Sequence, residues 1–259
     1  YRKVIRALRK RGMEPMITLW HYTNPSWIFD HGGWEGRKTV DFFVRYTKKI
    51  AEAFREEGVS LWVTLNEPGM YIATAYVNGD RPPNVKSLGR ANKAFKNLMA
   101  AHREAYQAIH RIQPKVRVGM PHFTVAMTPY GNYPWNRFVV WVLDYIRNWR
   151  FLNSIDDTND FIGIQYYHRE LIKCTLGKKE GRRAYGPIDI TRKNEWVNDM
   201  GWEIDPKGLY DSLKKAARYG KPIYITENGL PDTDDRYRER FIREHLYWLH
   251  RAIDEGVPV

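Results

Sequence analysis

LWVTLNEP, residues 61–68, is an apolar run of strand-forming residues that stops on Asn66 and Glu67 and is closed by Pro68. PIYITENG, residues 222–229, repeats the design: Ile223, Tyr224, Ile225 and Thr226 deliver Glu227 directly before the turn-forming pair Asn228-Gly229. One carboxylate at a strand exit is commonly just a solvated end. Two, on separate strands, form a pattern that asks what fold brings strand ends together.

Outward from these stretches, helical and strand periodicities alternate. Residues 1–10 carry Val4, Ile5 and Leu8 at helical spacing, with Gly12 as a stop, and residues 14–21 read as a buried strand. Residues 39–57 form an amphipathic helix, 60–66 a strand, 87–111 a long helix, 116–122 a strand, 135–151 an aromatic-rich helix and 161–167 a fourth strand. A long irregular region, 169–202, is followed by a helix over 206–219, a strand over 223–227 and a helix over 234–255. Strict alternation predicts a parallel sheet covered by helices, because each parallel neighbour is reached by a crossover. Five strands alone would leave two open edges, and no glycine-rich phosphate loop follows any of them. The expectation is therefore a single domain over residues 1–259, an α/β TIM (β/α)8 barrel of which about five central βα units are present.

Composition sets the broad class. Of the 259 residues 43% are hydrophobic and 28% charged, as in an ordinary globular protein. No stretch approaches the apolar length of a membrane span, and the first twelve residues have a helical rather than a signal-peptide pattern, so neither a membrane nor an export signal is expected. Cys174 is the only cysteine, which rules out an internal disulfide and a cysteine-based zinc site and points to a reducing, cytoplasmic compartment. The net charge of +12 raises nucleic acid as a partner, but the basic residues are spread over several helices and one polar loop, 178–183, and interleave with Glu and Asp, so no nucleic-acid site is expected. His245 and His250 are five apart, off one helical face, and no cluster has metal-ligand spacing; neither metal nor cofactor is expected.

In a barrel the ends of parallel strands converge on one mouth, where active sites are built. Glu67 ends the second visible strand and Glu227 the fifth, so their side chains are expected to face each other there. Paired carboxylates are the minimum equipment for cutting a glycosidic bond: one protonates the leaving oxygen, the other attacks or stabilises the oxocarbenium-like centre. Asn66 suits a sugar hydroxyl, His21 and Tyr167 end strands that reach the same mouth, and Trp20, Tyr22, Trp27 and Trp34 offer flat apolar faces on which a sugar can stack.

Residues 61–69 (LWVTLNEPG), 222–229 (PIYITENG), 17–34 (ITLWHYTNPSWIFDHGGW) and 160–168 (DFIGIQYYH) resemble the signature segments of glycoside hydrolase family 1, the β-glucosidase and β-glycosidase family, in the family's order and spacing. The resemblance implies a (β/α)8 barrel that hydrolyses β-glycosides with retention of configuration. It makes Glu67 the acid/base, Glu227 the nucleophile, Tyr167 the residue that holds the nucleophile, and Asn66 and His21 ligands of the cleaved sugar.

Departures from the family pattern matter too. Many members have HWD where this chain has His21-Tyr22-Thr23, so that rim of the site differs. Gln165 stands where an Asn is usual, a longer amide expected to move a hydrogen bond near the nucleophile. The family's first two strands, with a sugar-binding Gln and an Arg beside the nucleophile, and its last strand, with a Trp and a Glu that bind the sugar, have no counterpart. Expected partners are thus a β-glycoside or oligosaccharide, and either further segments of the same barrel or self-association through the open edges. The alternative is a weak or inactive barrel that binds another ligand in its exposed interior.

Overall fold

The computed structural model describes residues 1–175, 183–185, 188–191 and 196–259, which fall into two compact units: Tyr1–His122 with Phe151–Gly163, and Phe123–Arg150 with Ile164–Val259. Residues 178–182 of the expected basic loop lie outside the described residues.

The first unit begins with α1 (Arg2–Lys10) and β1 (Met16–Trp20), followed by α2 (Arg37–Ala53) and β2 (Leu61–Leu65). β1 and β2 run parallel from Met16 beside Leu61 to Trp20 beside Leu65, and β2 runs parallel to the start of β3 (Arg117–Pro129), with Leu61 beside Arg117 and Val63 beside Gly119. All five residues of β2 are buried, which is why the run carries no polar alternation. After β2 the chain enters α3 (Pro68–Ile72) and a π-helical turn (Ala73–Asn78), then α4 (Leu88–Ile112). The Ser87 hydroxyl accepts from the Arg90 amide at 3.4 Å to start α4, a capping arrangement. Ala91, Ala94, Ala101, Ala105 and Ala108 give that helix a small, fully buried stripe along which it packs closely. The helix shares a core with Trp62, Leu65, Met120 and Ile155. Such burial is worth roughly 1.5–3 kcal/mol per large apolar side chain.

At the foot of this unit Asp160 collects three donors: the Tyr106 hydroxyl at 2.7 Å, His110 Nε2 at 2.8 Å and the Val118 amide at 2.8 Å. This fixes the entrance of β4 (Phe161–Cys174) beside β3. The two strands approach so closely that a Cβ on Gly163 would lie 2.7 Å from Pro121 Cα. His102 is wholly buried between Thr64 Oγ1, at 2.6 Å from Nδ1, and the Thr158 carbonyl, at 2.8 Å from Nε2. Burial holds its imidazole neutral, with a pKa brought down to about 4.

The second unit holds the remainder of β3 and β4, α5 (Pro134–Asp144), a π-helical turn (Tyr145–Trp149), β5 (Arg183–Tyr185), β6 (Ile188–Thr191), α7 (Pro206–Ala216), β7 (Ile223–Asn228) and α8 (Arg238–Asp254), while α6 (Arg150–Ile155), which follows the turn, belongs to the first unit from Phe151 onward. The single helix expected over 135–151 is therefore broken. The π turn turns Asn148 onto β3, where its amide accepts from the Val125 N–H at 3.0 Å and donates to the Val125 carbonyl at 2.8 Å, standing in for a strand partner.

Two strands run longer than their apolar cores predict. β3 continues past His122 to Pro129, and β4 past Tyr167 to Cys174. The extension of β4 carries charges that the sequence reading assigned to a loop. Glu170 is 4% exposed and paired with Arg147, whose Nη2 donates to Oε1 at 3.0 Å; Arg169 is paired with the buried Glu203. Burial raises the Glu170 carboxyl, but the Arg147 charge and hydrogen bonds from His168 and Arg147 outweigh it and hold the pKa down at about 2. Part of the region expected to be irregular is a hairpin: β6 pairs antiparallel with β4, Leu171 beside Thr191 through Cys174 beside Ile188, and β5 pairs antiparallel with β6. β7 lies beside β4, and α7 packs on α8.

Candidate active site

In the first unit, β2 delivers Asn66 and Glu67 to its carboxyl end. The Asn66 amide donates to the Trp20 carbonyl at 2.9 Å and the Glu67 amide to the Pro121 carbonyl at 3.1 Å, so both backbone positions are tied to neighbouring strands. Glu67 is left-handed, at φ 43° and ψ 55°, and Pro68 then opens α3. A non-glycine residue in that region is strained by roughly 1–2 kcal/mol, and such strain persists where the surroundings over-determine it. Its effect is to turn the side chain out of the sheet alternation.

The carboxyl is 7% exposed, and the Tyr22 hydroxyl donates to its Oε2. Asn66, 3% exposed, points its amide nitrogen at His21 Nε2 at 3.2 Å. Trp20 is turned inward: it is 6% exposed, donates from Nε1 to Asn24 Oδ1 at 3.0 Å, and meets Trp34 and Tyr71 edge-on at 5.4 and 5.0 Å. Trp34 is also core, at 1% exposed, whereas Trp27 lies on the surface against Phe42 and His31. Of the flat faces expected from sequence, Tyr22 is the one that touches a candidate carboxylate.

In the second unit, β7 delivers Glu227 alongside β4. Its two oxygens take different donors: the Gln165 amide nitrogen reaches Oε1 at 2.6 Å, and the Tyr167 hydroxyl donates to Oε2. Asn228 Nδ2 donates to the Tyr166 carbonyl at 2.6 Å, clamping the strand end one residue further on. Phe123 stacks on the Tyr167 ring at 5.7 Å and 25°. Gln165 is 1% exposed, so the longer amide noted in sequence is a fixed donor to the carboxylate. Two donors, one on each oxygen, fix the orientation of the carboxyl group.

Two contributors escaped the sequence reading. Arg81 lies with its guanidinium carbon 5.0 Å from the centre of the Tyr22 ring, and Phe123 backs Tyr167. Arg81 stands at no expected strand end, and Phe123, just past the strand expected over 116–122, carries no group whose chemistry would single it out. Among the described residues, no group of three or more His, Cys, Asp or Glu is placed to hold a metal ion, and no helix is long and apolar enough to cross a membrane.

The model of glycosyl hydrolase family 1 matches residues 1–139 and 148–259. The chain belongs to glycosyl hydrolase family 1. Family 1 relatives include the chloroplastic galactolipid galactosyltransferase SFR2 of Arabidopsis thaliana, 31% identical with all of this chain and 42% of the relative covered, and a β-galactosidase of Sulfolobus acidocaldarius, 30% identical with 100% and 59% covered. The chain thus spans about two-fifths to three-fifths of the length of these relatives. Among solved structures, a β-glycosidase from Pyrococcus horikoshii matches with TM-score 0.89 at 33% identity, covering 100% of this chain and 63% of that one. A β-glucosidase from Thermotoga maritima in complex with deoxynojirimycin matches with TM-score 0.89 at 26% identity, covering 100% and 66%. The fold class is accordingly the family 1 TIM barrel, with five of its βα units among the described residues: β1–α2, β2–α4, β3–α5, β4–α7 and β7–α8.

Proposed function

We propose that this chain carries the two catalytic carboxylates of a retaining β-glycosidase acting on β-D-glucosides or related β-glycosides, with both units belonging to one catalytic domain. The observation that carries the reading is the pair of donors on Glu227: Tyr167 and Gln165 each hold one carboxyl oxygen and so fix the orientation from which a nucleophile attacks. In the first step the Glu227 carboxylate attacks the anomeric carbon, the bond to the aglycone oxygen breaks, and Glu67 gives that oxygen its proton. In the second, Glu67 takes a proton from water, whose oxygen attacks the anomeric carbon and releases Glu227. Asn66 and His21, joined at 3.2 Å, would bind hydroxyls of the cleaved sugar. Retention requires the two carboxyl groups about 5 to 5.5 Å apart.

Hydrolysis of a 4-nitrophenyl β-glucoside tests the reading, with the β-galactoside alongside because relatives carry both names. Glu227→Ala is expected to abolish turnover; equal rates in variant and parent would sink the proposal. A transferase reading, suggested by the name of the Arabidopsis relative, differs only in the second step, where a sugar hydroxyl replaces water, and product analysis separates the two. The non-catalytic binding-scaffold alternative draws no support from the relatives. A single cysteine remains the ground for proposing a reducing, cytoplasmic setting.

A further inference from the structure

The most constrained group of side chains in the first unit lies around Tyr22. Four non-glycine residues among those described have positive φ: Asn84 and Asp235, of types that tolerate it, and Tyr22 at 68° and Glu67 at 43°, of types that do not. The two strained residues face each other through one hydrogen bond, from the Tyr22 hydroxyl to Glu67 Oε2. Paired strain of this kind is kept where geometry matters more than stability.

The ring that carries the hydroxyl is fixed from several directions. Tyr71 stacks on it at 6.2 Å and 22°, while Trp20 and His21 meet it edge-on at 5.9 and 5.1 Å. Tyr71 is itself a neutral phenol, its pKa pushed up to about 12 by burial. Arg81 completes the enclosure as a cation 5.0 Å from the ring centre. A cation against a phenol ring draws electron density from it, which makes the hydroxyl a better donor.

We propose that Tyr22 is a positioning residue for the proton-donating carboxyl: by donating to Oε2 of Glu67 it fixes the orientation of the group that protonates the leaving-group oxygen, and it steadies the carboxylate that remains once the proton has gone. This rests on the reading of Glu67 as the acid/base. Its chemical consequence is specific. A hydrogen bond that strengthens as Glu67 loses its proton helps most when the aglycone is a poor leaving group and needs that proton, and helps little when the aglycone departs unaided.

The test compares kcat/KM, which reports the glycosylation step, for 2,4-dinitrophenyl β-glucoside and for an alkyl β-glucoside. For Tyr22→Phe the alkyl glucoside is expected to lose roughly 10- to 100-fold, part of the 10²–10⁴ that general acid catalysis supplies, while the dinitrophenyl glucoside changes less than about threefold. Tyr22→Trp, which fills the site but moves the donor, is expected to show the same selective loss and keeps the test open should Phe leave the ring loose. Equal losses on both substrates would mean a merely structural ring, and unchanged rates would mean no role; either overturns the proposal. Glu67→Ala, run in parallel, identifies failure of the underlying reading: if it shows no dependence on leaving group, Glu67 is not the acid and Tyr22 has nothing to position.

Discussion

At the scale of single residues, the candidate chemistry rests on how two carboxylates are dressed. Glu227 has a donor for each oxygen, and removing one, Tyr167→Phe, deletes a hydrogen bond to a charged group worth about 1.5–3 kcal/mol. The expected result is a fall of about 10- to 100-fold in kcat/KM on an aryl glucoside, with folding unchanged because Phe keeps the stack on Phe123. The places of Glu67 and Glu227 at strand ends were legible in sequence, since two apolar runs each end on a carboxylate before a proline or an Asn-Gly pair. What held them was not. The contact of Tyr22 with Glu67 depends on two left-handed backbones, and handedness leaves no trace in spacing or periodicity. Trp20, equally plausible as a sugar platform from its place beside His21, faces the opposite way because strand side chains alternate, and its indole is sealed by Trp34 and Tyr71.

Elements were readable where burial is apolar and unreadable where it is ionic. β2 declares itself through five buried residues, but the end of β4 hides in sequence because Arg169 and Glu170 look solvated and are in fact paired. Arg147→Met is expected to cost about 3–5 kcal/mol in urea denaturation, because the buried Glu170 would lose its guanidinium partner and keep only His168. Replacing Arg147 and Glu170 together with apolar residues should recover much of that loss. The start of α7 shows a second kind of constraint. A Cβ on Gly208 would collide with the Tyr166 hydroxyl and lie 2.6 Å from Ala126 Cβ, while that hydroxyl, fully buried, donates to the Asp205 carbonyl at 2.7 Å. Gly208→Ala is therefore expected to destabilise by roughly 1–3 kcal/mol, seen as a lower Tm, through forced movement of Tyr166. In sequence this glycine looks like a poor residue for a helix and nothing more.

For the molecule as a whole, buried titratable groups set a direction for its acid response. His102 and His245 are both held neutral by burial, with pKa values near 4, below the 6.5 of a free imidazole. The unfolded chain binds more protons between those values, so each histidine removes stability as pH falls from about 6.5 to 4, at up to about 1.4 kcal/mol per pH unit. Glu170, depressed from 4.5 to about 2, extends the loss below that window, because its contribution is present above pH 4.5 and disappears as pH falls through 2. Urea midpoints measured at pH 7, 5.5 and 4.5 should fall monotonically, and His102→Gln should flatten the slope between pH 7 and 5.5. Against this stability stand the residues bent for another purpose. Glu67 is held in a backbone conformation that glycine or asparagine would adopt at less cost. A mutant library enriched only for survival of heating should therefore drift at position 67 toward Gly and Asn, and, on the proposed function, its hardiest clones would be those without glycoside hydrolysis.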